Sequence, residues 1–271
     1  MNYQCLTLSA RGVSHTGATL TCYCLDNTWE TDEKRVRPAV IVCPGGGYEY
    51  TSDREAEPIA IQCLAAGFQA FVLRYHIKPD VYPTALLDAA ESVLTVRRRA
   101  AEFHVDPDKI VVLGFSAGGH LAGHISNRWN EPFVAQALGC QSEEMRVNGN
   151  VLCYPVITSG EWAHRGSFQA LLAEKHDALC PQMSLENCVG PQTPPTFLWH
   201  TYPDDAVPVQ NTMLYFDALR RQNVPCELHI FPEGCHGLSL ANEETRTSSG
   251  GGVVPACQSW ISLCTRWIAA L

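Results

Sequence analysis

Short apolar runs alternate along the chain with longer stretches of helical periodicity. Residues 17–25 alternate at the two-residue period of a half-buried strand and predict one arm of a hairpin. Residues 26–37 are polar and charged and predict a loop. Residues 38–43 (PAVIVC) are a continuous apolar run, the signature of a strand covered on both faces, and stop abruptly at Pro44-Gly45-Gly46-Gly47-Tyr48. A helix is predicted over 54–66, ended by Gly67 at the position after its cap. Residues 68–73 predict a strand, and 83–103 one long amphipathic helix with proline in its first turn. Asp106-Pro107-Asp108 predicts a turn, 110–115 (IVVLGF) a buried strand, and 117–127 a helix. Further strands are predicted at 150–154, 196–200 and 226–231, with helices at 209–222 and 256–271. Residues 158–192 lack a β signal, carry only scattered helical character, and read as a cap-like insertion over the sheet, near the active site.

Strands alternating with helices predict an α/β chain: a mainly parallel central sheet with helices on both faces. No repeat and no Gly-, Pro- or Ser-rich linker divides it, so residues 1–271 read as a single domain of ordinary length for that class. Residues 248–252 (SSGGG) read as a flexible surface loop near the active end.

Composition narrows the partners. With 28 acidic against 19 basic residues the net charge is −9, which repels phosphate backbones, so nucleic acid is not an expected partner. The basic run Arg97-Arg98-Arg99 falls late in a predicted helix, where it complements the helix dipole rather than forming a binding patch. The thirteen cysteines are scattered, odd in number and without a CxxC pair, so at least one is unpaired in any compartment. The N-terminal residues show no signal-peptide pattern, and the cysteines read as reduced, mostly buried side chains of a cytoplasmic protein. Cys22 and Cys24 share one strand face but lack further clustered ligands, a poor zinc site. No apolar run approaches membrane-spanning length, so no membrane association is expected, and oligomeric state is left open.

The candidate chemistry begins at Gly114-Phe115-Ser116-Ala117-Gly118, a G-x-S-x-G placed between a predicted strand and a predicted helix. That context distinguishes a strained nucleophile turn from a surface serine in a glycine loop: Gly114 and Gly118 leave room for it, and the helix N-terminus favours nearby negative charge. Ten histidines compete for the role of base. His229 lies inside an alternating strand and reads as structural. His120 and His124 have the spacing of a metal pair but lack the glutamate of HExxH, so packing is the plainer reading and no metal is expected. His236 sits in a glycine-flanked loop (PEGCHG) just after the last predicted strand, where an open α/β sheet presents reachable side chains. Asp204 and Asp205 follow the preceding strand, completing the order Ser, Asp, His; chemistry alone does not choose between them. The backbone amides of Gly45, Gly46 and Ala117 are the candidate oxyanion donors. The glycine run lacks both the G-x-x-x-x-G-K-[ST] and the GxGxxG patterns of phosphate loops.

These stretches resemble the α/β-hydrolases related to hormone-sensitive lipase, in particular the bacterial acetylxylan-esterase-like or lipase/esterase group. CPGGGY at 43–48, REAEP at 54–58, FVLRY at 71–75, DPDKIVVLGFSAGGH at 106–120, WHTYPDDAVP at 199–208 and VPCELHIFPEGCHGLSL at 224–240 carry the likeness. It implies the α/β-hydrolase fold, Ser116 as nucleophile, His236 as base, and Asp204 rather than Asp205 as carboxylate. The wider group has His-Gly-Gly-Gly where this chain has Pro44-Gly45-Gly46-Gly47, which leaves the anchoring of the loop open. Gly47 and Tyr48 are then expected in the substrate pocket, Tyr48 at its mouth, while Arg54 and Glu55 read as structural residues at a helix start. The expected activity is hydrolysis of a small-molecule, short-chain acyl ester without any cofactor, the ester being an acetylated plant-type (xylan-type) oligosaccharide. Two alternatives stand beside it. DD-x-VP and FPEG-x-HG also resemble prolyl-oligopeptidase catalytic domains, and a non-catalytic ligand-binding relative of the fold is the other.

Overall fold

The computed structural model describes residues 1–8 and 17–271. In chain order its strands and α-helices are β1 (Asn2–Thr7), β2 (Thr19–Cys24), β3 (Arg37–Cys43), α1 (Glu57–Ala65), β4 (Gln69–Arg74), α2 (Thr84–Arg98), α3 (Ala100–Phe103), β5 (Val105–Phe115), α4 (Ser116–Arg128), α5 (Pro132–Leu138), β6 (Gly149–Cys153), α6 (Arg165–Leu172), α7 (His176–Leu179), β7 (Thr196–Thr201), α8 (Gln210–Arg221), β8 (Cys226–Phe231) and α9 (Trp260–Ala269). The strands form one sheet of eight in the order β1-β2-β4-β3-β5-β6-β7-β8. β1 and β2 pair antiparallel at one edge, β2 is antiparallel to β4, and every pairing from β4 through β8 is parallel.

The continuous apolar strands are explained by burial on both sides. Ala39, Ile41, Cys43, Ile110 and Val112 face one packed cluster with α2, α4 and α8. Val40, Val42, Val111, Leu113 and Phe115 face a second cluster with α1 and α9. An interior strand of such a sheet has no solvent face, so the two-residue alternation disappears from its sequence.

Two expectations are corrected. The helix expected over 83–103 is interrupted at Arg99, where φ and ψ of −102° and 19° leave the helical region. That break lets Phe103 pack on Phe71 at 5.3 Å and brings the Arg99 guanidinium over the Phe103 ring at 4.6 Å. The turn expected at 106–108 lies within β5 as an outward bulge: Arg37 pairs with Val105 and Ala39 with Ile110, and Asp106 Oδ1 accepts from Asp108 N at 3.0 Å. Two elements carried too little pattern to be foreseen. β1 is a half-exposed edge strand, and α5 buries Val134 alone. The arginine run serves the fold as ties: Arg97 donates to the carbonyls of Glu144 and Arg146, while Arg98 and Arg99 pair with Glu144 and Glu102. Residues 158–192 hold α6, α7 and short 3₁₀ turns. None of the described helices is long and apolar enough to cross a membrane.

α9 closes the second face. Trp260 is fully buried, stacks on Trp199 with centroids 5.0 Å apart, and donates its indole N–H to Ser239 O at 2.8 Å. Ser239 stands three residues after His236, so the terminal helix braces the loop that carries the imidazole. Trp260→Ala is expected to cost about 3–5 kcal/mol of stability. Urea unfolding checks this, and a loss below about 1 kcal/mol would show that α9 is not part of the cooperative core.

Candidate active site

Four strand ends supply the site, all on the C-terminal edge of the sheet, where open α/β sheets bind their ligands. β5 runs directly into α4 at Ser116, whose φ of 53° lies in the left-handed region that non-glycine residues rarely occupy. The turn tolerates no Cβ on either flank: at Gly114 it would run into Gly118 O, and at Gly118 into the carbonyls of Cys43 and Pro44. The sharp turn lifts the Ser116 hydroxyl off the sheet and leaves the first-turn amide of Ala117 without a helical acceptor.

The imidazole and carboxylate arrive from β8 and β7. His236 Nε2 lies 2.7 Å from Ser116 Oγ, and His236 Nδ1 lies 2.7 Å from Asp204 Oδ2. Asp204 is buried and Asp205 is exposed, so of the two it is Asp204 that the fold brings against His236. The other Asp204 oxygen accepts from the amides of Ala206 (3.1 Å) and Val207 (2.9 Å). His200 Nε2, 2.8 Å from Val207 O, also comes within 3.3 Å of Asp204 Oδ2. Burial alone would raise the Asp204 pKa. Hydrogen bonds from His200, His236 and the Val207 amide outweigh it and hold the carboxyl well below the usual carboxylate range. An ionised carboxylate only accepts, so the proton of His236 sits on Nδ1 and Nε2 is left to accept from Ser116.

The glycine loop after β3 shows an anchor that sequence reasoning passed over. Glu55, read as a helix-start residue, is 3% exposed and turns its carboxylate inward. Its Oε2 accepts from Gly45 N at 2.8 Å and its Oε1 from Tyr154 OH at 2.6 Å. Tyr154 in turn accepts from Ser239 N at 2.8 Å and sets its ring edge against His236, centroids 5.1 Å apart. One buried carboxylate thus ties the glycine loop to the histidine loop. Burial pushes its pKa up, against the lowering effect of the two hydrogen bonds. The expectation that Gly45 is an oxyanion donor needs correction, because its N–H is committed to Glu55. The amides of Gly46 and Gly47 have no acceptor among the described residues. The only sequence signal for Glu55 was a carboxylate eight residues past a glycine run, which composition cannot tell from a helix cap.

Ser116 and His236 open onto a cavity of about 260 Å³ whose wall includes Gly46, Gly47 and Glu55. Tyr48 is not at its mouth, as expected, but 2% exposed beneath the loop. Its φ of 60° turns the ring inward, where the hydroxyl meets His120 Nδ1 at 2.8 Å. His120 Nε2 lies 2.9 Å from Met183 O, and His124 stacks on Tyr82 at 5.6 Å, so the i, i+4 pair packs within the core. Burial pulls the His120 pKa down to about 4. His229 pairs with Glu227 on β8, away from the row. Residues 247–251 close a tight turn through Thr247 and Gly251, and Arg54 donates Nε–H to Thr245 O at 2.7 Å beside it.

A serine on the strand-to-helix turn of a mainly parallel sheet, with an imidazole and a carboxylate brought up by later strand ends, defines an α/β-hydrolase of the esterase-like kind. Within that class the chain belongs to the BD-FAE family, whose profile matches residues 25–219. It is 36% identical over 226 residues to endo-1,4-beta-xylanase B of Butyrivibrio fibrisolvens, covering 80% of this chain and 35% of that one. It is 32% identical over 209 residues to an acetylxylan esterase of Xylanibacter ruminicola, covering 74% of this chain and 41% of the relative. The chain therefore spans well under half the length of these two curated relatives. Among solved structures, the acetyl ester-xyloside bifunctional hydrolase of Caldicellulosiruptor lactoaceticus superposes with a TM-score of 0.80 at 38% identity, over 95% of this chain and 89% of its own.

The depressed pKa of Asp204 has a consequence for stability. Its stabilising effect is complete above the unfolded value, near pH 4, and drains away as the pH falls below it toward the folded value. The melting temperature of the wild type is therefore expected to fall more steeply below about pH 4 than that of Asp204→Asn. Parallel melting curves across that range would contradict the assignment.

Proposed function

We propose that the protein is a serine carboxylesterase that removes short acyl groups, acetyl above all, from xylan-type oligosaccharides. The observation that carries this reading is the row Ser116–His236–Asp204, linked at 2.7 Å and 2.7 Å and open to a cavity. In the first step Ser116 Oγ attacks the ester carbonyl while its proton passes to His236 Nε2. Asp204 keeps the imidazole oriented and stabilises its positive charge. The amides of Gly46 and Ala117 hold the oxyanion, with Glu55 occupying Gly45. His236 then protonates the departing alcohol, leaving an acyl-serine. Water, losing its proton to His236 Nε2, attacks that acyl group; as the acid leaves, His236 returns the proton to Ser116 Oγ and the free enzyme is restored.

The oligosaccharide substrate is supported by the names of the relatives, an acetylxylan esterase, a xylanase and an acetyl ester-xyloside hydrolase. We read residues 1–271 as one hydrolase domain with 158–192 as its cap, since His164 from that segment lines the cavity. A reducing, cytoplasmic setting accords with thirteen free thiols.

Hydrolysis of 4-nitrophenyl acetate tests the chemistry. Ser116→Ala is expected to lower kcat by about 10⁴-fold or more, and Asp204→Asn by about 10³- to 10⁴-fold, with circular dichroism unchanged. Full activity in Ser116→Ala would end the proposal. Cleavage of a prolyl peptide anilide in preference to the ester would move it to the peptidase reading.

A further inference from the structure

The mechanism leaves parts of the cavity wall unused, among them Tyr50 and His164. His164 precedes α6, and among the described residues it is the one through which segment 158–192 lines this cavity. His164 lines the same cavity as Ser116 and His236, and Ser167 Oγ, the atom that holds its imidazole, faces the glycine loop, 3.9 Å from where a Cβ on Gly47 would lie. His236, Asp204 and Glu49 all act on the ring electrostatically, and Glu49 shares the cavity wall with it.

Its tautomer is set by the same helix start. Ser167 N–H donates to His164 Nδ1 at 3.3 Å, and Ser167 Oγ lies 2.8 Å from the same nitrogen. A backbone amide only donates, so Nδ1 is the acceptor and the proton resides on Nε2. Burial, with His236 nearby, lowers the pKa of the ring and keeps it neutral. Nε2–H has no partner among the described residues, nor is it one of the polar atoms sealed in the core. A held, neutral donor therefore stands in the wall of the reaction cavity. Tyr50, also in that wall, leaves 61% of its surface exposed. Its backbone is fixed by an N–H bond to Gly46 O at 3.2 Å.

A hydroxyl acceptor and an apolar ring face are the two features that a pyranose leaving group has and a simple alcohol lacks. We propose that His164 Nε2–H holds a free hydroxyl oxygen of the acylated sugar while the Tyr50 ring lies against its C–H face, so that these two residues set a preference for acylated sugars. Both are specificity residues: they touch the leaving group but not the reacting carbonyl. The inference rests on the esterase reading above and names the part of the site that recognises the alcohol.

The test measures kcat and KM for monoacetylated methyl β-xylopyranoside and for 4-nitrophenyl acetate. The quantity read is the ratio of the two kcat/KM values, sugar over aryl ester. His164→Leu is expected to lower this ratio about tenfold, chiefly through KM for the sugar, the scale of one lost hydrogen bond. His164→Gln, which restores an N–H donor, recovers part of the loss. Tyr50→Ala, a change on an exposed side chain that folding tolerates, lowers the ratio about threefold or more. A ratio within twofold of wild type in both His164→Leu and Tyr50→Ala overturns the inference and leaves the esterase reading intact. A wild type that cleaves the aryl ester but no acetylated sugar overturns the inference and the sugar substrate together. Inactivity on both esters overturns the esterase reading itself.

Discussion

A serine held at φ 53° is the constraint around which the site is built. That conformation costs an L-residue roughly 1–2 kcal/mol, and it persists because its surroundings permit nothing else. The incoming strand is hydrogen-bonded on both sides, to β3 and to β6, and the outgoing helix is buried along its length. Gly114 and Gly118 meet with no space for a side chain between them. Left-handed backbone recurs at Tyr48 and Tyr154, each just past a strand on the same edge of the sheet. At these three positions the chain turns away from the sheet.

The second requirement is that loops distant in sequence keep their spacing. Glu55 meets it at the cost of burying a carboxylate without an ion-pair partner among the described residues. Such burial is unfavourable, and its charge is compensated by two short hydrogen bonds, from the Gly45 amide and the Tyr154 hydroxyl. Tyr154 also contacts Ser239 and His236, so one chain of contacts runs from the glycine loop to the imidazole. Pro44 heads the glycine run, and the loop is held from the side by the Glu55 carboxylate on the Gly45 amide.

Asp204 meets its own burial differently, with bonds to each oxygen from backbone and imidazole donors. The consequence is opposite in sign. Donors saturate Asp204 and its pKa falls, whereas at Glu55 desolvation prevails and the pKa rises. The cavity onto which Ser116 and His236 open is small, with His164 and Tyr50 adding groups that the row itself does not need.

Much of this was legible in one dimension. The interior strands had to be apolar throughout because both faces are covered, and the G-x-S-x-G turn had to carry glycines because backbone passes within contact of both. Ser116, His236 and the neighbourhood of Asp204 followed from those local rules and from resemblance. What the sequence could not decide were contacts between segments far apart along it. Asp204 differs from Asp205 only in facing inward, Gly45 loses its free amide only because Glu55 folds back onto it, and Tyr48 leaves the pocket because its backbone turns left-handed. Local sequence determines which conformations a segment favours. Which polar groups meet, and which are thereby used up, is decided when the strand ends are assembled on one edge of the sheet.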